Sequence, residues 1–163
     1  VKSHSIYPAA ILALVLSAAV QAQNPESPGS KEQPHPGHAE SAAGQPGKPE
    51  DATRTIEIKT LDRMKYDPAS LTLNRGEIVR LVVTNTGRLR HEATIGSAAE
   101  QQAHAAEMKA APDISHDSPN SVIVEPGQTK ELIWRFDQPG RFEIGCHIPG
   151  HYQAGMIAEV IVR

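Results

Sequence analysis

The chain of 163 residues holds a single cysteine, Cys146, and it opens the stretch Cys146-His147-Ile148-Pro149-Gly150-His151-Tyr152-Gln153-Ala154-Gly155-Met156. A thiol, an imidazole and a thioether stand at steps of five residues, at Cys146, His151 and Met156. Taken one at a time, these residues have plainer readings. A lone cysteine or a strand methionine commonly fills a core, and a lone histidine is commonly a hydrogen-bonded polar residue. Together on one turn they form most of a metal site. Zinc and copper both accept thiolate and imidazole, and the thioether in the remaining position favours copper. The chemistry such a set supports is one-electron exchange at one copper ion.

Three ligands from one loop leave a second imidazole to be supplied from elsewhere. His91 is the candidate: it follows an expected strand over 78–85 and the turn at Thr86-Gly87, and it precedes a short strand over 92–95. Alternation aims the cysteine. In 141–146, Phe142, Ile144 and Cys146 share one face while Arg141 and Glu143 take the other, so the thiol arrives on the core side at a strand end. Pro149 and Gly150 then bend the chain so that His151 turns back toward the sulfur. Met156 starts the last strand, whose inward face continues through Ala158, Val160 and Val162.

The same period of two marks Ile56 and Ile58, then Val79, Leu81 and Val83, then Leu132, Trp134 and Phe136. Asn74-Arg75-Gly76, Glu125-Pro126-Gly127 and Gln138-Pro139-Gly140 supply turns between such runs. Short strands and regular turns predict an all-β sandwich over 53–163, large enough for one core. One segment breaks the rhythm. Residues 98–111 are rich in Ala, Glu, Gln and Lys and stop at Pro112, which predicts a short helix. With the polar stretch 113–120 it forms an insertion expected on the surface.

The start of the chain bears on location. Lys2, the apolar run 6–20 and the small residues of Val20-Gln21-Ala22 read as a signal peptide over 1–22, cleaved after Ala22. An apolar run of about 15 residues falls short of the roughly 20 that span a bilayer, so no membrane span is expected after cleavage. The alternative is an uncleaved amino-terminal anchor. No cysteine stands at the cleavage point, so a lipid anchor is not expected. These features place the chain in the bacterial periplasm or outside the cell. An exported chain with one cysteine cannot close an internal disulfide, and the neighbouring histidines favour a metal as the occupant of that thiol.

Residues 23–52 are Pro, Gly, Ser, Glu, Gln and Ala with almost no large apolar side chain, a composition that reads as a flexible linker. His35 and His38 within it form at most a weak metal site beside the solvated-linker reading. The net charge of −3 and the lack of a basic run exclude a nucleic-acid partner from expectation.

With these residues in place, the chain resembles the cupredoxins, the blue-copper family, over essentially 53–163. The resemblance implies a Greek-key β-sandwich in which His91, Cys146 and His151 are strong equatorial ligands of one type 1 copper ion and Met156 is a weak axial one. It implies a monomer that docks transiently on redox partner proteins. The two five-residue steps of the ligand loop look like the longer-looped members such as rusticyanin and auracyanin. The helical insertion and the Cys-His-Ile-Pro-Gly-His run look more like exported cupredoxins associated with bacterial copper tolerance. Glu92 departs from many members, which carry Asn there and use it to tie the two ligand segments together.

His147 also invites comparison with the carboxy-terminal motif of multicopper oxidases, which place a histidine on each side of the cysteine. Here Gly145 precedes it, His-x-His pairs are lacking, and the chain is too short for several domains. No enzyme activity is expected, and His147 is placed outside the ligand set. His104 and Met108 lie four residues apart on the expected helix, with His116 following. A second, cuprous site there is conceivable, and an ordinary surface helix is the plainer reading. The function expected first is single-electron carriage, and the alternative is periplasmic copper binding for copper tolerance.

Overall fold

A computed structural model describes residues 41–110 and 118–163; residues 1–22, His35, His38 and His116, with the expectations resting on them, lie outside the described residues. In chain order the elements are β1 (Gly44–Pro46), β2 (Arg54–Leu61), β3 (Lys65–Asp67), β4 (Ser70–Leu73), β5 (Ile78–Asn85), β6 (His91–Gly96), the helix α1 (Ala98–Ala110), β7 (Ser121–Val124), β8 (Thr129–Phe136), β9 (Gly140–Gly145) and β10 (Ile157–Val162). They form two five-stranded sheets, in the orders β1-β8-β5-β2-β3 and β4-β10-β9-β6-β7. Both sheets are mixed: β2 pairs β5 and β4 pairs β10 in parallel, and the other pairings are antiparallel. The expected all-β domain with one helical insertion is therefore present. Within 23–52, the stretch read as a linker, β1 adds a short edge to β8.

Alternation decides which side chains fill the core. Ile56 and Ile58 of β2, Val79, Leu81 and Val83 of β5, and Leu132, Trp134 and Phe136 of β8 are all buried. Ile144 of β9 and Ala158, Val160 and Val162 of β10 join them in one cluster drawn from both sheets. Burying a large apolar side chain stabilises the fold by about 1.5–3 kcal/mol, so this cluster is the main force holding the sheets together.

β6 does not alternate: all six residues of His-Glu-Ala-Thr-Ile-Gly are buried. β9 and β7 flank it, and α1 packs on β6 and β9. The helix starts with a reciprocal cap, in which Glu100 N–H donates to Ser97 Oγ at 3.3 Å and Ser97 N–H donates to the Glu100 carboxylate at 2.6 Å. Its inward face carries Gln101, His104 and Met108, all buried. The reading of these positions as an ordinary surface helix is corrected on this point. Spacing of three and four residues turned polar side chains toward the sheet because polar partners wait there.

Candidate metal centre

The candidate ligand residues meet because β6 and β9 are antiparallel neighbours, with Thr94 opposite Gly145, so the start of one strand lies beside the end of the other. His91 is the first residue of β6, and Cys146 follows the last residue of β9. The loop from Cys146 runs back into β10, which pairs with β9 on its other side. Both ends of the loop thus hang from adjacent strands. Inside it, His151 N–H donates to Ile148 O at 2.9 Å, Met156 N–H to His151 O at 3.1 Å, and Cys146 N–H to Met156 O at 3.2 Å. Gly150 and Gly155 take φ of 89° and 83°, which let the chain double back without strain.

The ligand atoms of His91, Cys146 and His151 lie within 4.8 Å of one another. Cys146 Sγ is 3.4 Å from His151 Nδ1, and the two imidazole centroids are 5.1 Å apart. His91 and Cys146 are fully buried, and His151 is half-buried at the mouth of the cluster. Met156, the fourth expected ligand, is fully buried at the end of the same loop.

Asp62, in the turn between β2 and β3, fixes the tautomer of His91. Its Oδ1 lies 3.2 Å from His91 Nε2, and the carboxylate accepts the backbone N–H groups of Arg88 at 2.8 Å and Leu89 at 3.2 Å. The Arg88 hydrogen bond, chiefly, holds the Asp62 carboxyl below its usual range. An ionised carboxylate can only accept, so His91 Nε2 is the donor in this contact and Nδ1 faces away from Asp62. That Nδ1 is buried without a hydrogen-bond partner. A buried base next to a thiol and a second imidazole fits a soft metal ion.

The electrostatics agree with this. Burial pushes the Cys146 thiol up to about 12, although the N–H of Glu92 donates to the sulfur at 3.3 Å. Without a metal the thiol keeps its proton at neutral pH, and a metal takes its place with release of that proton. Burial, then the nearby His91, lowers His151, which keeps this imidazole neutral and able to ligate.

Glu92 and His147, each next in sequence to a ligand, meet on the side of the sheet covered by α1. The Glu92 carboxylate accepts the backbone N–H of His147 at 3.0 Å, so the tie between the two ligand segments is made with Glu in place of Asn. His104 donates to it at 3.2 Å and Ser121 Oγ at 2.9 Å. Burial alone would raise Glu92, but the His104 hydrogen bond and charge outweigh it and hold the carboxyl low. The same contacts, with Glu107, raise His104 against its own burial. Burial, with the His104 charge next, lowers His147 to about 4. His147 is buried, stacks on Tyr152 at 4.8 Å, and is not part of the His91, Cys146 and His151 cluster. His104 joins no group of three or more His, Cys, Asp and Glu side chains placed to hold a metal among the described residues.

Sequence reasoning missed two parts of this centre. Asp62 sits about 30 residues from its partner with no motif around it, and nothing local signals it. The burial of His104 could have been read from its spacing to Gln101 and Met108, had the sheet beneath been known to offer a carboxylate.

The family described as copper binding proteins, plastocyanin/azurin family, matches residues 52–163. A copper-resistant cuproprotein CopI of Rubrivivax gelatinosus is 44% identical over 129 residues, covering 79% of this chain and 78% of that protein. One of Pseudomonas aeruginosa is 37% identical over 164 residues, covering 83% and 90%. Among solved structures, the dithionite-reduced auracyanin of Roseiflexus castenholzii superposes with a TM-score of 0.60 at 23% identity, covering 69% of this chain and 98% of that one, a likeness of fold.

Proposed function

The chain belongs to the plastocyanin/azurin family of copper-binding proteins, and on that premise we propose that it is an exported protein that binds one copper ion and serves copper tolerance. The strong ligands in this reading are His91 through Nδ1, Cys146 through its thiolate and His151 through Nδ1, with Met156 as a weak axial ligand. The observation that carries it is the partnerless Nδ1 of His91, buried beside the sulfur and oriented by Asp62 from the far side of the ring. The copper-resistant relatives support the tolerance role. A copper ion in this set would supply reversible one-electron exchange.

The residues divide the work. Asp62 keeps the His91 proton on Nε2, Cys146 gives up its proton on loading, and the Glu92 N–H stays on the sulfur. The alternating strands seal the buried ligands from water. The protein is a binder and no substrate is transformed, in keeping with a family of copper-binding proteins rather than enzymes. No helix among the described residues is long and apolar enough to cross a membrane. A signal segment cleaved after Ala22, a linker over 23–52, a domain over 53–163, a periplasmic location and a monomeric state complete the proposal. Sequencing the amino terminus of the mature protein checks the cleavage.

Loading the apoprotein with cupric ion should produce an intense thiolate-to-copper absorption in the visible. The band should vanish in Cys146→Ser, and full retention there would refute the assignment. Deleting the gene should arrest growth under a copper load.

Electron carriage to transient redox partner proteins is the second reading, and one feature favours it. Backbone hydrogen bonds pin Cys146, His151 and Met156 to one another, and a pinned ligand set reorganises little when the charge of the ion changes. This reading predicts fast self-exchange and indifference of the deletion strain to copper.

A further inference from the structure

Side chains from α1 reach the residues that neighbour the ligands in sequence. Glu92 follows His91, its N–H donates to Cys146 Sγ, and its buried carboxylate is held by His104 of the helix. His147 follows Cys146, and its Nε2 lies 2.5 Å from Gln101 Oε1. The other end of the Gln101 amide donates to Thr94 O of β6 at 2.8 Å and to Glu143 O of β9 at 3.0 Å. One helical face therefore bridges the two strands that deliver His91 and Cys146. The His104 and His147 rings also meet edge to face, with centroids 4.8 Å apart.

Building on the copper-site reading above, we propose that His104 and Gln101 are positioning residues of the metal centre, through which the inserted helix sets how strongly the site prefers cupric over cuprous ion. The argument is one of charge and of geometry. A buried carboxylate on the residue whose N–H donates to the ligand sulfur favours the more highly charged ion, because Coulomb interactions are weakly screened in the interior. His104 holds that carboxylate at 3.2 Å, and it does so from the helix rather than from either ligand strand. A buried carboxylate stripped of its partner is an uncompensated charge. Gln101 acts in parallel on geometry: it fixes His147 and so the chain direction immediately after Cys146.

The test is a cycle of copper-loaded proteins, with the potential measured by voltammetry in the unmutated protein, His104→Gln, Glu92→Gln and the double variant. His104→Gln should raise the cupric-to-cuprous affinity ratio about tenfold, a fall in potential of about 59 mV for one electron. Glu92→Gln should shift the potential upward, and the double variant should match Glu92→Gln alone. A potential unmoved by His104→Gln, or an equal fall in both backgrounds, overturns the role of the helix. Should His104→Gln fail to fold, Gln101→Leu carries the question. Its electron-spin resonance should show an altered copper hyperfine splitting, and an unaltered one in folded, loaded protein overturns the proposal. Absence of the thiolate-to-copper band in the unmutated protein would instead sink the copper-site reading itself, so the two failures are distinguishable.

Discussion

Two imidazole–carboxylate pairs lie on opposite sides of the same strand: His91 with Asp62, and His104 with Glu92, each at 3.2 Å. Their contacts match, and their chemistry does not. Asp62 is an exposed carboxylate fixed by backbone N–H groups, and it occupies one nitrogen of His91 while the other is buried and without a partner. Glu92 is fully buried, and its partner His104 has carboxylates at both nitrogens, Glu92 at 3.2 Å and Glu107 at 3.6 Å. The first arrangement leaves a buried ring nitrogen without a partner beside Cys146 and His151, open to a cation in the reading proposed above. The second sets a carboxylate against each nitrogen, which raises His104 and favours its protonated form. A histidine beside a carboxylate is thus a ligand or a counter-ion according to what its second nitrogen meets.

Removing each counterpart should separate the two roles, and the larger effect on folding belongs to the buried pair. His104→Ala leaves Glu92 buried with only the His147 N–H and Ser121 Oγ as partners and no counter-charge, which should cost the apoprotein about 3 kcal/mol in urea unfolding. The pair also predicts a window of pH. Glu92 is held below its usual 4.5, so its contribution is present above that value and lost as pH falls through the lower folded value. His104 is raised above 6.5, so its contribution is full below 6.5 and lost as pH rises through the higher folded value. The melting temperature of the apoprotein should therefore be highest between about pH 4.5 and 6.5 where this pair dominates. The His104→Ala variant should lose that maximum, and a variant that keeps it would show that the pair contributes nothing.

Asp62→Ala should give the opposite result. Its carboxylate is solvent-exposed and its loss should leave the unfolding midpoint close to that of the unmutated protein. Copper affinity should fall about 10–100-fold, because the ring of His91 loses the acceptor that fixes its tautomer. Competition with a chelator of known affinity measures it. An affinity equal to that of the unmutated protein would show that burial alone orients His91.

The sequence made one of these pairs half legible and the other invisible. Cys146, His151 and Met156 could be read together because one loop carries them, and a loop writes its spacing in the sequence. His91 is a candidate by its place after a strand, and the structure sets it beside Cys146 and His151. The all-β domain followed from alternation at Ile56, Val79 and Trp134, where one face of a strand meets the core and the other meets water. That logic fails at β6, where Glu92 and Thr94 alternate toward a helix instead of toward solvent. Nothing within the strand announces the cover, since it comes from a later segment with its own period. Asp62 was missed for a related reason: its partners are reached only when the β2–β3 turn folds over the β5–β6 connection.

Met156→Leu probes what both pairs leave untouched, the loop held by its own backbone. Residue 156 accepts the Cys146 N–H at 3.2 Å and donates to His151 O at 3.1 Å through main-chain atoms, and leucine keeps both bonds. Its volume also suits the fully buried position, and such an exchange alters stability by less than about 1.5 kcal/mol. Only the thioether is lost. A weak axial sulfur tunes an ion more than it retains it, so copper should still bind with the thiolate-to-copper band shifted in energy and the potential raised. The ordering of effects then tests the contrast drawn from the two histidines: the ligand steadied by side chains from another turn is sensitive to its support, whereas the ligands steadied by the main chain of their own loop are not. Loss of copper from Met156→Leu, with binding kept in Asp62→Ala, would reverse that order and make the thioether the stronger anchor.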